Sequence, residues 1–177
     1  MRIDAVLKGV KAENIVLMQR DVSYREKMGR PPKQIKLVEQ TSKNSDIIYI
    51  ELDLPFPLTN RDFVQKRLFI ANKDDSELVR KLGLFDWSHG YHAILTQSTE
   101  NAEYPAKSKP IRGETKMHHI LLEEDPSDKS IVKMKIVISQ QLNGDIPKIV
   151  MNSMGEKMPK NMVTGLLTSY NKFFGKS

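Results

Sequence analysis

The side chains that could do chemistry in this chain are few and poorly assembled for turnover. His89 and His92 stand three apart with Asp86 nearby, and His118 adjoins His119. A catalytic zinc needs three protein ligands and an open position, and no third residue completes either group. Glu123 and Glu124 precede a proline turn, where carboxylates read as solvated rather than as an acid–base pair. Cysteine is absent, which removes thiol nucleophiles, disulfides and cysteine-ligated zinc together. No Gly-x-Ser-x-Gly elbow, phosphate-binding glycine loop or dinucleotide fingerprint occurs. The chemistry on offer is binding rather than catalysis, and no cofactor or metal is implied.

Composition narrows what could be bound. A net charge of +6 favours anionic surfaces such as phospholipid headgroups or nucleic acid. The lysines are scattered, however, as they are in many domains with no anionic partner. Nine methionines against one tryptophan point to a core or cavity lined by soft, adaptable side chains. The 177 residues suit one domain spanning 1–177, and an apolar fraction of 39% lies well above that of disordered chains. No apolar run is long enough for a membrane-spanning helix, and MRIDAVLKGV lacks the apolar core of a signal peptide. A cytosolic or peripheral-membrane location is therefore expected.

The elements that must position these residues follow from periodicity. Residues 2–7 alternate as a strand, and Lys11 to Asp21 carries Ala12, Ile15, Val16 and Met18 at helical spacing. That helix ends before Gly29-Arg30-Pro31-Pro32, which cannot continue it. Strands follow at Lys33–Thr41, Asp46–Leu54 and Arg61–Asn72, then at Tyr91–Thr99, Ile111–Leu122 and Ser130–Leu142. A short helix over Ser76–Leu82, capped by Ser76, is expected between them. After Asn143-Gly144-Asp145 the period becomes helical. Met151, Met154, Met158, Met162, Leu166, Tyr170 and Phe174 mark one long helix, with Pro147 in its first turn and Pro159 inside it. The order predicts an α+β domain in which an antiparallel sheet is covered by its closing helix.

Three segments share one resemblance. Pro55–Arg67 (PFPLTNRDFVQKR) resembles the strand–loop–strand segment of START domains, the StAR-related lipid-transfer family. Asp21-Val-Ser-Tyr-Arg25 is similar to the family's Asp-x-x-Tyr-Arg. Asn143-Gly-Asp-Ile-Pro147 through Phe174 resembles its final helix, internal proline included. The pattern looks closest to that of phosphatidylcholine-transfer-like members.

The resemblance implies a helix-grip fold, a curved antiparallel sheet wrapped around the C-terminal helix with an internal lipid tunnel. It implies one sterol, phospholipid or ceramide, moved between membranes without a catalytic step. Acyl burial of roughly 0.8 kcal/mol per CH₂ lets such a tunnel compete with a bilayer. The 55–60 loop, through Phe56 and Leu58, and the C-terminal helix would gate the tunnel and touch the membrane. Aligned this way, Met1 falls in the family's third strand, so the domain is expected to lack the first helix and two strands. An open sheet edge would then invite a homodimer.

The resemblance also nominates residues. Arg25 matches an arginine that pairs with lipid phosphate in the phosphatidylcholine-binding member, a task suited to a forked cation. A helix-capping arginine is the structural counterpart of that role. The acidic neighbour of that relative is Gly29 here, and its choline-cage positions are Ile50, Phe63 and Lys116, so phosphatidylcholine specificity is not implied. Phospholipid is favoured over sterol, for which Gln65 and Arg67 would be the polar contacts. Lys116 and His118 are expected to share a strand face and meet an anionic head. Ile48, Leu52, Met158, Met162 and Leu166 complete the expected lining. A cyclase- or hydrolase-like helix-grip enzyme, and a basic nucleic-acid or protein-interaction module, are the competing readings. The first lacks an acid–base pair and the second a basic stripe with interleaved aromatics.

Overall fold

The computed structural model describes residues 1–29, 31–71 and 90–175, the side chains of 148–154 and 156 excepted. The expected helix at Ser76–Leu82, with Asp86 and His89, lies outside the described residues. The elements run β1 (Arg2–Lys8), α1 (Ala12–Arg20), α2 (Val22–Arg25), β2 (Gln34–Ser42), β3 (Ser45–Leu52) and β4 (Arg61–Ala71). They continue with β5 (Tyr91–Ser98), β6 (Ile111–Arg112), β7 (Glu114–Glu124), β8 (Ile131–Gln141) and α3 (Lys148–Phe174). The strands form a curved antiparallel sheet in the order β1-β8-β7-β5-β4-β3-β2, with β6 lying parallel to β4.

Period-two alternation becomes rows across the sheet. Cross-strand register aligns Phe69, Ile94, Ile120, Ile136 and Ile3 on five strands. All five are buried in the main core with Ile15 and Met18 of α1 and Leu166 and Tyr170 of α3. Each such apolar side chain contributes about 1.5–3 kcal/mol through burial. The neighbouring row is polar: Asp46, Arg67, Thr96 and His118 sit opposite one another.

Helix α1 buries Ala12, Ile15, Met18 and Gln19, the spacing its amphipathic pattern predicts. It stops at Asp21 because that side chain accepts from the Ser23 backbone N–H at 2.8 Å and caps a new turn. The chain therefore bends into α2 instead of running straight toward Pro31. Helix α3 holds this corner in place. Tyr170 Oη accepts from the Lys11 N–H at 2.9 Å and from Asn14 Nδ2 at 3.2 Å. Tyr24 of α2 meets the Phe173 ring edge-on at 4.9 Å.

The strand expected over Ile111–Leu122 is interrupted at Gly113. Its N–H bonds to the Asp62 carbonyl at 2.9 Å, and a Cβ there would fall 2.4 Å from the buried Phe63 ring. Only glycine leaves room for the Phe63 ring against this stretch of backbone. Gly113→Ala should lower stability by about 1–3 kcal/mol through overpacking. A urea midpoint unchanged from the parent would refute that packing argument.

Candidate functional site

The site begins with the polar row of the sheet. Arg67 is 4% exposed and Asp46 1% exposed. Their guanidinium and carboxylate pair bidentately at 2.7 and 2.8 Å. The remaining donor capacity of Arg67 goes to the carbonyls of Gln19 at 2.6 Å and Arg20 at 2.9 Å. These are orphan carbonyls at the C-terminus of α1, where a cation is favourably placed. The charge is thus neutralised and α1 is fastened to the sheet.

Beside this corner lies a cavity of about 530 Å³ between α1, α2, strands β7 and β8, and α3. Such a volume falls within the usual range for small-molecule pockets, roughly 300–1,000 Å³. Its apolar wall includes Ile15, Ile120, Met134, Ile136, Met158, Met162 and Leu166. Its polar lining comprises Gln19, Arg25, His118, Lys157, Asn161 and Ser169. Arg25 Nη1 donates to Gln19 Oε1 at 2.6 Å. No carboxylate among the described residues pairs with it. Burial, with the charge of Arg67 second, lowers the Arg25 guanidinium to about 10, so it stays cationic at neutral pH. His118 Nε2 and Ser169 Oγ are buried without a hydrogen-bond partner among the described residues. Unmade bonds of this kind are uncommon and call for an explanation.

Five of the residues nominated from sequence line this cavity: Arg25, His118, Met158, Met162 and Leu166. The others fall elsewhere. Ile48 and Ile50 form a separate buried cluster with Ile35, flanked by Val22 and Leu52. Phe63 is buried against Gly113, and Gln65 donates to Thr115 Oγ1 at 2.7 Å. Arg67 is committed to Asp46 and the α1 carbonyls. Lys116 is exposed, because a register shift between Thr115 and Met117 breaks the alternation that would put it on the face of His118. Gln19, Lys157, Asn161 and Ser169 were not nominated. Gln19 and Ser169 carried a readable signal, each being a polar residue at core spacing, four after Ile15 and three after Leu166.

The Pro55–Asp62 segment builds a clamp outside the cavity wall. Asn60 Oδ1 accepts from the Leu54 N–H at 3.3 Å, and its Nδ2 reaches Glu51 at 3.0 Å. The buried Arg61 donates to the carbonyls of Thr59, Leu142 and Asn143, joining the loop to the segment before α3. Asp62 pairs with Arg112 at 2.9 Å. Phe56 at the loop tip is 97% exposed, while Leu58 is half-buried.

Residues 16–169 match the START domain. The chain belongs to the START domain family. As a START domain it is 24% identical to mouse phosphatidylcholine transfer protein over 99% of this chain and 75% of that protein. Its identity to the bovine phosphatidylcholine transfer protein is 25%, over 85% of this chain and 63% of that protein. The START fold of human STARD10 superposes with a TM-score of 0.74 at 19% identity, over 96% of this chain and 63% of that one. Human StAR-related lipid transfer protein 5 gives 0.76 at 14% identity, over 96% and 74%. An aromatase/cyclase from Streptomyces, Zhui, shares the fold more distantly, with a TM-score of 0.53 at 8% identity.

Two predictions follow from the polar row and the cavity. Asp46→Ala should destabilise the domain by about 3–5 kcal/mol by leaving Arg67 buried without its counter-charge. A loss under about 1 kcal/mol in denaturant unfolding would refute that role. Burial, then the nearby charges of Arg25 and His119, lowers the His118 imidazole from 6.5 to about 4. The unfolded chain therefore binds this proton more readily, so the associated stability is intact above the unfolded value and drains away as pH falls toward about 4. His118→Gln should remove that part of the acid sensitivity. An equal stability difference between the two proteins at both ends of this window would count against it.

Proposed function

We propose that this domain holds one lipid in the cavity beneath α3 and carries it between membranes without chemical change, preferring phospholipid to sterol. The observation that carries the reading is an apolar cavity with a buried cation, Arg25, in its wall that no carboxylate among the described residues pairs with. Apolar walls reward acyl burial at roughly 0.8 kcal/mol per CH₂. A phosphate would supply the counter-charge that no described residue gives Arg25. Two relatives are named phosphatidylcholine transfer proteins, which supports this class of cargo. The described cavity wall carries no carboxylate to form an acid–base pair, which supports transfer over a cyclase-like reaction.

Entry involves the Pro55–Asn60 loop and α3, and Arg61 ties that loop to the segment before α3. Phe56 and the net charge of +6 are the apolar and electrostatic parts of docking on an anionic membrane. The outer edge of β1, where Val6 is also exposed, is the surface through which a second copy would pair.

Native mass spectrometry of the purified protein should reveal one bound lipid per chain. Phe56→Ser should slow phospholipid transfer between vesicles several-fold, since it removes apolar membrane contact while leaving the core intact. Absence of bound lipid and of transfer, together with salt-sensitive RNA binding, would overturn the reading.

A further inference from the structure

The polar lining of the cavity has a consistent sign. Arg25 and Lys157 are cations, and among the described lining residues there is neither a carboxylate nor a Phe, Tyr or Trp ring. The other polar members, Gln19, His118, Asn161 and Ser169, can each donate a hydrogen bond. The acceptor oxygen of Gln19 is already used by Arg25 at 2.6 Å. His118 Nε2 and Ser169 Oγ have no partner among the described residues. A phosphate is acceptor-rich and would answer these donors and the charge of Arg25 together.

A zwitterionic head brings an ammonium group as well. That group would find no ion-pair partner and no Trp, Tyr or Phe face for a cation–π contact in the described wall, and it would lie near two like charges. A glycerol head adds only hydroxyls, which Asn161, Ser169 and His118 can bond. We propose that the cavity selects phospholipids whose headgroup is anionic and lacks an ammonium group, and disfavours phosphatidylcholine. This rests on the lipid-carrier reading above and assigns its ligand class.

The test offers both classes from one membrane, so that docking is common to them. Vesicles of equal parts dioleoyl phosphatidylcholine and dioleoyl phosphatidylglycerol are incubated with the protein and removed, and the lipid left on the protein is quantified. Phosphatidylglycerol should be enriched by roughly tenfold or more. Arg25→Gln should lower that enrichment. Asn161→Asp, at an exposed position that tolerates a polar change, should also lower it by placing a carboxylate beside the head. Extraction of the two lipids in vesicle proportion, or enrichment of phosphatidylcholine, overturns the proposal while leaving the carrier reading intact. Failure to extract any lipid, cholesterol from a parallel vesicle included, overturns both. Free glycerol phosphate in the buffer separates a lipid headgroup from a soluble anion. Unchanged extraction supports the proposal, and bound glycerol phosphate with no lipid extracted refutes it.

Discussion

The corner on which the cavity depends is held by one buried guanidinium. Arg67 could not sit in the sheet interior without Asp46 opposite it on β3, because an uncompensated buried charge costs several kcal/mol. With its charge balanced, it has donors left for the carbonyls of Gln19 and Arg20. Those bonds fix where α1 ends against the sheet. Asp21 then turns the chain, α2 begins, and Arg25 comes back over Gln19. A strand residue thereby determines the position of a helix residue that faces the cavity.

The opposite end of the fold is organised by the same chemistry used differently. Arg61 is as buried as Arg67, yet its bonds go to backbone carbonyls on two segments, at Thr59 and at Leu142 and Asn143. It fastens the loop to the segment that precedes α3, while Tyr170, Phe173 and Phe174 fasten the far end of that helix to α1 and α2. Helix α3 is thus held at its C-terminal end, and the segment leading into it is fixed by Arg61. Methionines Met158 and Met162 line the cavity. Their flexible side chains can line a cavity that changes shape with its occupant.

Much of the architecture was legible because its signals are local. Alternation along β3, β4 and β8, the helical spacing of α1 and α3, and the tandem prolines each depend on residues a few positions apart. The site was legible in part. Arg25, Met158 and Met162 line the cavity, whereas Ile48, Gln65 and Phe63 pack elsewhere on the sheet. Lys116 departed from its expected face because one extra residue in β7 reverses the alternation, and a bulge has no reliable mark in a single sequence. The break at Gly113 was equally hidden, since its cause, the Phe63 ring, lies on another strand.

The sequence by itself determined the succession of strands and helices, the START resemblance and the absence of thiol chemistry. These depend on residue type and short-range order. Tertiary structure alone decided which arginines are structural and which faces a cavity. Arg25, Arg61 and Arg67 are chemically identical, and their roles differ only in what the fold brings to them. Arg67 receives a carboxylate from β3 and Arg61 a set of carbonyls. Arg25 receives, among the described residues, a single glutamine oxygen and no carboxylate. Whether a buried cation is satisfied is a property of partners distant in the chain, and that is why folding had to settle it.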